Sequence, residues 1–499
     1  MSQKASKRAY VETYGCQMNI SDGELMEGIL EKRGYEIVSS PEDADVVLVN
    51  TCAIREHAEQ RVLGRVSQLN GLKRDRPEMV LGVTGCMAQR MGESLLERAP
   101  YVDLVMGPDG YRGLPETLAR LARGTDEVSS PVGEGHGDGE AWSAGEAGGS
   151  GAPRDAFGAA ASASARMVRR SGERGPQLAV LQLDMDENYQ GLEQRRTEGP
   201  SAWVPVQRGC DHRCTYCIVP YVRGGEKNRS AAEVVDEVRS LAATGVSEVT
   251  LLGQTVNSYV WEDVTFPELL RRVARVDGIR RVRYTSPHPV DVTPELVEVM
   301  AEEPSVCRHL HLPAQSGNDR TLKRMLRRYT VDTFLEKVDL VRSAMPDIAL
   351  STDIIVAFPG ETRPEFRDTL DLMRTVRFDE AYTYKYSPRD GTPATRLPPE
   401  DFIDPDEAQE RLEELIDVSR TIQAEINRGE VGRVEEVLIE GDGRDPGQIR
   451  GRTERNKVVV FDGDAGRVGA YTRVALERTT GVTFAGSEIR AEAPATVGM

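Results

Sequence analysis

The chain of 499 residues has no run of about 20 apolar residues, so it offers no candidate for a membrane-spanning helix. Its first eight residues lead straight into a strand-like stretch and lack the apolar core of a secretion signal. Cysteine is scarce: seven in the whole chain, which does not make a disulfide framework. Positive charge is in deficit, with 63 basic against 81 acidic side chains and a net charge of −18. These absences exclude a membrane protein and a disulfide-stapled secreted module, and they predict a cytoplasmic protein. They also weigh against a uniformly basic, nucleic-acid-binding surface. Cations are nevertheless grouped locally. Residues 318–329 carry Arg320, Lys323, Arg324, Arg327 and Arg328 against Asp319 alone, and 271–283 is a second basic stretch.

What is present is enough for globular cores, with 39% hydrophobic residues, and the length calls for about two or three domains. Three of the cysteines sit in one tight run, GCDHRCTYC over 209–217, as Cys210, Cys214 and Cys217. Three thiolates in one loop with no fourth leave one metal corner open, the arrangement of an iron–sulfur cluster that also binds a small molecule. Two plainer readings stand beside it. Cys214 and Cys217 form a C-x-x-C pair of the thioredoxin-like kind. His212 would complete a Cys3His zinc site, although it lies only two residues from Cys210 and from Cys214, which is cramped for a tetrahedral centre.

The first 125 residues alternate strand and helix. The pattern predicts strands over 9–14, 46–50, 80–84 and 102–106, with helices over 22–33, 55–72, 87–98 and 114–122, hence a parallel sheet flanked by helices. Cys16, Cys52 and Cys86 each fall in a strand-to-helix turn. In an open parallel sheet those turns share one edge, where ligands bind. The three thiols therefore converge as a second trio with one vacancy, unless they are unrelated buried cysteines. Cys307 has no sequence partner and reads as a small packed residue.

From 133 to 165 glycine, alanine and serine dominate, the composition of a flexible linker or insertion, with order expected again around 177–184. A second series of strands is expected at 203–207, 248–252, 281–284, 309–312, 350–356 and 381–386, separated by helices such as 231–243, 267–276 and 364–376. That series predicts a barrel of six strand–helix units, closed or incomplete, with its site at the carboxyl ends of the strands. The segments there are polar or turn-forming: 253–257, 285–288, 314–317, 358–361 and 387–389. A long helix over 407–428 leads to short strands at 434–439, 457–461, 471–476 and 482–484, which fit a small β-barrel. Residues 431–490 hold ten basic and ten acidic side chains, neutral within an acidic whole. Such barrels often bind RNA, with a protein-binding or packing role as the lesser alternative.

The motifs YGCQMN (14–19), NTCAIRE (50–56), GCMAQ (85–89), the central cysteine run, LLGQTVNSY (251–259), HLPAQSG (311–317), TDIIVAFPGE (352–361) and GRTERNK (451–457) together resemble the radical-SAM methylthiotransferase family. The likeness is nearest to the members that act on isopentenylated adenosine in tRNA. It covers nearly everything except residues 130–180. The departures are that long insertion and Thr255, where Asn is common.

The resemblance implies an α/β protein of four parts: an N-terminal domain over 7–125, an insertion over 126–185, a partial radical-SAM barrel over 196–427 and a TRAM-like barrel over 428–490. Cys210, Cys214 and Cys217 would hold a [4Fe–4S] cluster that binds S-adenosylmethionine (SAM). Cys16, Cys52 and Cys86 would hold an auxiliary [4Fe–4S] cluster, the two sites facing one chamber. Gln254, Asn257, Ser286 and Gln315 would line the SAM pocket, and Arg452, Arg455 and Lys457 would contact tRNA phosphates. The implied reaction, using two SAM per turnover, places a methylthio group on C2 of isopentenyladenosine in the anticodon loop. The implied partners are that tRNA and an electron-donor protein, with no membrane. The same machinery would also serve threonylcarbamoyladenosine or an aspartate of a ribosomal protein. A zinc-containing RNA-binding protein without catalysis is the alternative from another class.

Overall fold

The computed structural model describes residues 6–53, 56–123, 166–168, 177–196 and 199–489. They fall into two compact units. One comprises Met1–Gly15, Leu25–Asp184 and Leu192–Gln194; the other comprises Cys16–Glu24, Met185–Gly191 and Arg195–Met499.

The first unit is built on a seven-stranded sheet. In chain order its strands are β1 (Arg8–Tyr14), β2 (Glu36–Ile37), β3 (Val46–Thr51), β4 (Val80–Gly85), β5 (Leu104–Met106), β6 (Arg166–Val168) and β7 (Gln177–Val180), and their spatial order is β2-β1-β3-β4-β5-β7-β6. All neighbours are parallel except β6 against β7. β3 is buried at every position, as expected of a parallel strand covered on both faces. Val47, Val49, Leu81, Val83 and Val105 build the core on the side of Val62, Val66, Leu95 and Leu96. The helix expected over 87–98 is two helices, Cys86–Met91 and Glu93–Arg98, because Gly92 breaks the chain at φ +56°. The sheet also takes in β6 and β7 from the stretch 126–185. β7 falls where order is expected to return, around 177–184; β6, three residues long, has no periodicity to mark it. Residues 124–165, the centre of the glycine-rich insertion, lie outside the described residues.

The second unit contains two parallel three-stranded sheets. One has the order Arg281–Tyr284, Glu248–Leu252, Ser201–Pro205; the other runs His309–His311, Ala349–Val356, Glu380–Lys385. A parallel bridge between Val282 and Val306 links them, so six strands follow one another in sequence order. Among the described residues no pairing joins the first strand to the last, and the barrel is therefore partial. Val249, Leu251, Val282, Leu310, Leu350 and Ile354 point outward into a core with the helices. Five helices of the unit start where the sequence supplies caps: Thr293, Asn318, Thr330, Thr362 and Asp404 each accept a backbone N–H of the first turn.

The helix Pro405–Glu430 leads into a closed five-stranded barrel of Val434–Asp442, Gln448–Thr453, Val458–Asp462, Phe484–Glu488 and Tyr471–Thr479 around Val437, Ile439, Ile449, Val459, Phe461 and Phe484. Gln448–Thr453 is a strand in addition to those expected from the sequence. A Cβ on Gly451 would lie 2.3 Å from Leu438 O, so the strand needs glycine for close approach. No helix among the described residues is long and apolar enough to cross a membrane.

Candidate metal centre

The first strand of the partial barrel is followed by Gln207–Arg208, which pairs antiparallel with Lys227–Asn228 and pinches off a loop. Gly209 opens that loop at φ +73°, and a Cβ on it would sit 1.8 Å from Gly225 O. Only glycine passes there. The Cys210 N–H then donates to Gly224 O at 3.2 Å, and the Cys217 N–H to Cys214 O at 3.0 Å. The loop is thus fixed by its backbone, with the thiols left for other work. None of the seven cysteines forms a disulfide, which removes the oxidised thioredoxin-like pair from this structure.

The thiols sit against specific neighbours. Cys210 Sγ lies 3.0 Å from Thr255 Oγ1. Cys214 is buried and receives an N–H from Arg327 at 3.5 Å. Burial pushes the Cys217 thiol up to about 12, and the neighbouring Cys214 pushes in the same direction. Burial raises Cys210 as well, opposed by its contact with Thr255. Cys210 and Cys217 resist ionising alone, and thiols of that kind are suited to a multivalent cation, which deprotonates coordinating thiols outright. Tyr216 stands edge-on to Phe358 at 6.5 Å, and Met325, Phe358 and Ala394 make a dry wall beside it.

The strand ends divide into two kinds. Gln254 Oε1 and Gln315 Oε1 are buried and have no hydrogen-bond partner among the described residues. Orphaned acceptors at this end of the barrel fit an ammonium- and hydroxyl-bearing cofactor such as SAM. Ser286 is exposed at φ +58°, and Gln315 is held at φ +66°. Asn257 is different: its amide donates to His288 O and accepts from His288 N–H. Both atoms of its amide are thus engaged in positioning a loop, a role the sequence did not reveal.

His212, His288 and Asp291 bring three ligand atoms within 4.8 Å. The two imidazoles stack at 3.9 Å with 11° between their planes. Ring lone pairs lie in those planes and cannot converge on one ion from that arrangement. His212 is engaged in this stack and lies 3.8 Å from Asp291.

In the sheet of the first unit, register sets Tyr14, Thr51 and Gly85 side by side at the carboxyl ends of three adjacent strands. Cys52 and Cys86 are the next residues of their strands; Cys16 is two residues past Tyr14. The Cys52 N–H donates to Tyr14 O at 3.1 Å. Gly85, at φ +93°, would place a Cβ 2.5 Å from both Asn50 Oδ1 and Thr51 O. The turn that carries Cys86 therefore passes flush against the turn that carries Cys52. Asn50 is itself buried and receives the Tyr111 hydroxyl at 3.4 Å. Cys16 lies among residues of the second unit, and its thiol donates to Asn19 Oδ1 at 3.2 Å.

The tRNA-contact expectation fails for two of its three cations. Arg455 is buried between Glu430 at 2.8 Å and Glu435 at 2.7 Å. Lys457 is buried between Asp379 at 2.7 Å and Asn427 Oδ1 at 2.9 Å. Their charges are spent inside the chain. Arg452 keeps a partly exposed guanidinium, paired with Glu440 at 2.9 Å. The 451–457 segment also receives Arg281 on Arg452 O and Arg283 on Thr453 O and Glu454 O, so it docks on the partial barrel.

Family models match three stretches: an uncharacterised protein family, UPF0004, over residues 8–107, the radical SAM superfamily over 204–373 and the TRAM domain over 428–484. The tRNA-2-methylthio-N(6)-dimethylallyladenosine synthase of Thermoanaerobacter sp. (strain X514) is 41% identical over 96% of this chain and 92% of its own length. This chain belongs to that synthase family. The protein of the same name from Chlorobium luteolum is 39% identical over 96% of this chain and 97% of its own length. Among solved structures, the fold is similar to a radical S-adenosylmethionine methyltransferase, TsrM, from Kitasatospora setae with cobalamin and a [4Fe-4S] cluster bound. That likeness has a TM-score of 0.55 over 89% of this chain and 80% of that one, at 16% identity, and speaks for fold alone. Membership makes the chain a radical SAM enzyme, whose family chemistry rests on a [4Fe–4S] cluster and SAM and whose substrate is tRNA.

Proposed function

We propose that this enzyme places a methylthio group on C2 of N6-isopentenyladenosine next to the anticodon of tRNA, with Cys210, Cys214 and Cys217 holding one four-iron cluster and Cys16, Cys52 and Cys86 a second. The observation that carries the reading is the 41% identity over 96% of the chain with a synthase of that name. An aromatic C2–H has no acidic proton for a side-chain base to remove, so the bound clusters and SAM supply the radical and sulfur-transfer chemistry. The protein's residues position and exclude water. The glycine-hinged loop presents three thiols, and the Gln254 and Gln315 amide oxygens offer acceptors to SAM. Met325, Phe358 and Ala394 keep the side beside Tyr216 dry. Arg452 is the remaining phosphate contact from the original three.

The second cluster is supported by the abreast strand ends that carry Cys52 and Cys86 and by the turn glycine between them. Domain limits of 7–125, 196–427 and 428–490, an electron-donor protein and a cytoplasmic setting complete the reading. The test is mass spectrometry of tRNA nucleosides from a deletion strain with and without the gene restored. Loss of methylthio-isopentenyladenosine in the deletion and its return on restoration support the assignment. If that nucleoside stays intact while methylthio-threonylcarbamoyladenosine or a methylthiolated ribosomal aspartate is lost, the substrate is the other one.

A further inference from the structure

The helix Asp319–Arg324 ends in a Schellman arrangement: Leu326 N–H donates to Lys323 O at 3.1 Å and Arg327 N–H to Leu322 O at 2.9 Å. The position that usually takes glycine is Leu326, at φ +55° with its side chain exposed. A left-handed leucine costs about 1–2 kcal/mol. The turn is retained at that cost, and it aims Arg327 inward.

The guanidinium is then fixed on three sides. Nε donates to the Tyr329 hydroxyl at 3.0 Å, Nη2 to Pro313 O at 3.2 Å and Nη1 to Cys214 Sγ at 3.5 Å. Tyr329 is held by hydrogen bonds to Pro313 O and Ala314 O. Among the described residues no carboxylate lies within ion-pair distance of Arg327. Three buried or nearly buried arginines of this unit each have one: Arg223 with Asp22, Arg283 with Glu248, Arg411 with Glu361. Arg327 itself is half-buried, and a partly desolvated cation without an acid is costly unless another anion answers it. The group within reach that becomes an anion is the Cys214 sulfur.

We propose that Arg327 is a positioning residue that neutralises the Cys214 thiolate and raises the reduction potential of the cluster held there; this rests on Cys210, Cys214 and Cys217 being that cluster's ligands. Net charge and hydrogen bonds to the sulfurs are what set such potentials. The arginine donates one such bond and brings one positive charge. It favours the reduced form, in which negative charge accumulates, and so eases the electron's arrival.

The test uses full-length protein reconstituted anaerobically, with Cys16, Cys52 and Cys86 replaced by alanine so that one cluster remains. Arg327→Lys and Arg327→Gln are compared by iron content and by EPR-monitored redox titration. At a fixed potential the reduced-to-oxidised ratio falls at least tenfold in Arg327→Gln, about 59 mV for a one-electron couple, and stays within threefold in Arg327→Lys. Loss of iron from the glutamine variant alone also supports the charge role. A glutamine variant with full iron and an unshifted midpoint overturns it. So does a lysine variant that shifts, or loses iron, as far as the glutamine one. A parent protein that holds no iron overturns the ligand assignment instead.

Discussion

Asn257 is bonded twice to the backbone of His288, donating from Nδ2 to the carbonyl at 2.9 Å and accepting the N–H on Oδ1 at 2.7 Å. Two consecutive strand-end loops of the partial barrel are clamped by this one amide. Asn257→Ala leaves a buried N–H and a buried C=O without partners, a loss of about 2–4 kcal/mol. Urea unfolding measures it. The expected result is a lower midpoint with SAM affinity weakened through the loop. An unchanged midpoint with abolished SAM binding would point instead to the direct contact expected from sequence.

Lys457→Met removes one partner of a buried charged cluster and strands Asp379 and Asn427. The expected loss is about 3–5 kcal/mol of stability. The salt dependence of tRNA binding is expected to keep its slope, because the ammonium is turned inward. A reduced slope with unchanged stability would mean that Lys457 does reach phosphate.

Burial, aided by Arg327 and His212, pushes the His288 imidazole down to about 2. The folded chain keeps it neutral, whereas the unfolded chain protonates it near the ordinary value of about 6.5. Between those values the unfolded state binds more protons. Stability therefore falls as pH drops below about 6.5, by up to about 1.4 kcal/mol per pH unit from this residue. His288→Asn keeps an acceptor for the Val290 N–H, which His288 Nδ1 accepts at 3.3 Å. Urea midpoints measured from pH 7.5 down to 5 should decline less steeply in that variant; an equal slope would contradict the prediction.

Gly209→Ala drives a Cβ into Gly225 O and forbids the loop that presents Cys210. Iron per chain should fall from about eight to about four, with SAM cleavage lost and the rest of the fold intact by circular dichroism. Full iron in that variant would mean the loop closes in another way.

Much of this is legible in the sequence alone. Alternating strand and helix segments set the parallel sheets, and three thiols in a short loop with motifs around them set the family. The losses were long-range. Arg455 and Lys457 looked like exposed cations in a basic motif, yet their partners Glu430, Asp379 and Asn427 lie 25, 78 and 30 residues away. The Asn257–His288 clamp spans 31 residues and the Arg327–Cys214 contact 113. Local periodicity carries no record of such pairs. Arg327 had one available signal, membership of a basic cluster, which points as readily to solvent. Thr255 was visible as a departure from the family pattern, and the structure gives it a neighbour in Cys210.

The central claim is that two separate three-thiol sites each take a four-iron cluster. Iron, acid-labile sulfide and zinc analysis of the anaerobically reconstituted protein tests it most directly, alongside Cys214→Ala and Cys52→Ala. The account predicts about eight irons and eight sulfides per chain and about four of each in either variant. SAM cleavage is lost in Cys214→Ala; in Cys52→Ala some cleavage remains but methylthiolation ends. Zinc without sulfide, or an iron content that Cys52→Ala leaves untouched, would contradict it.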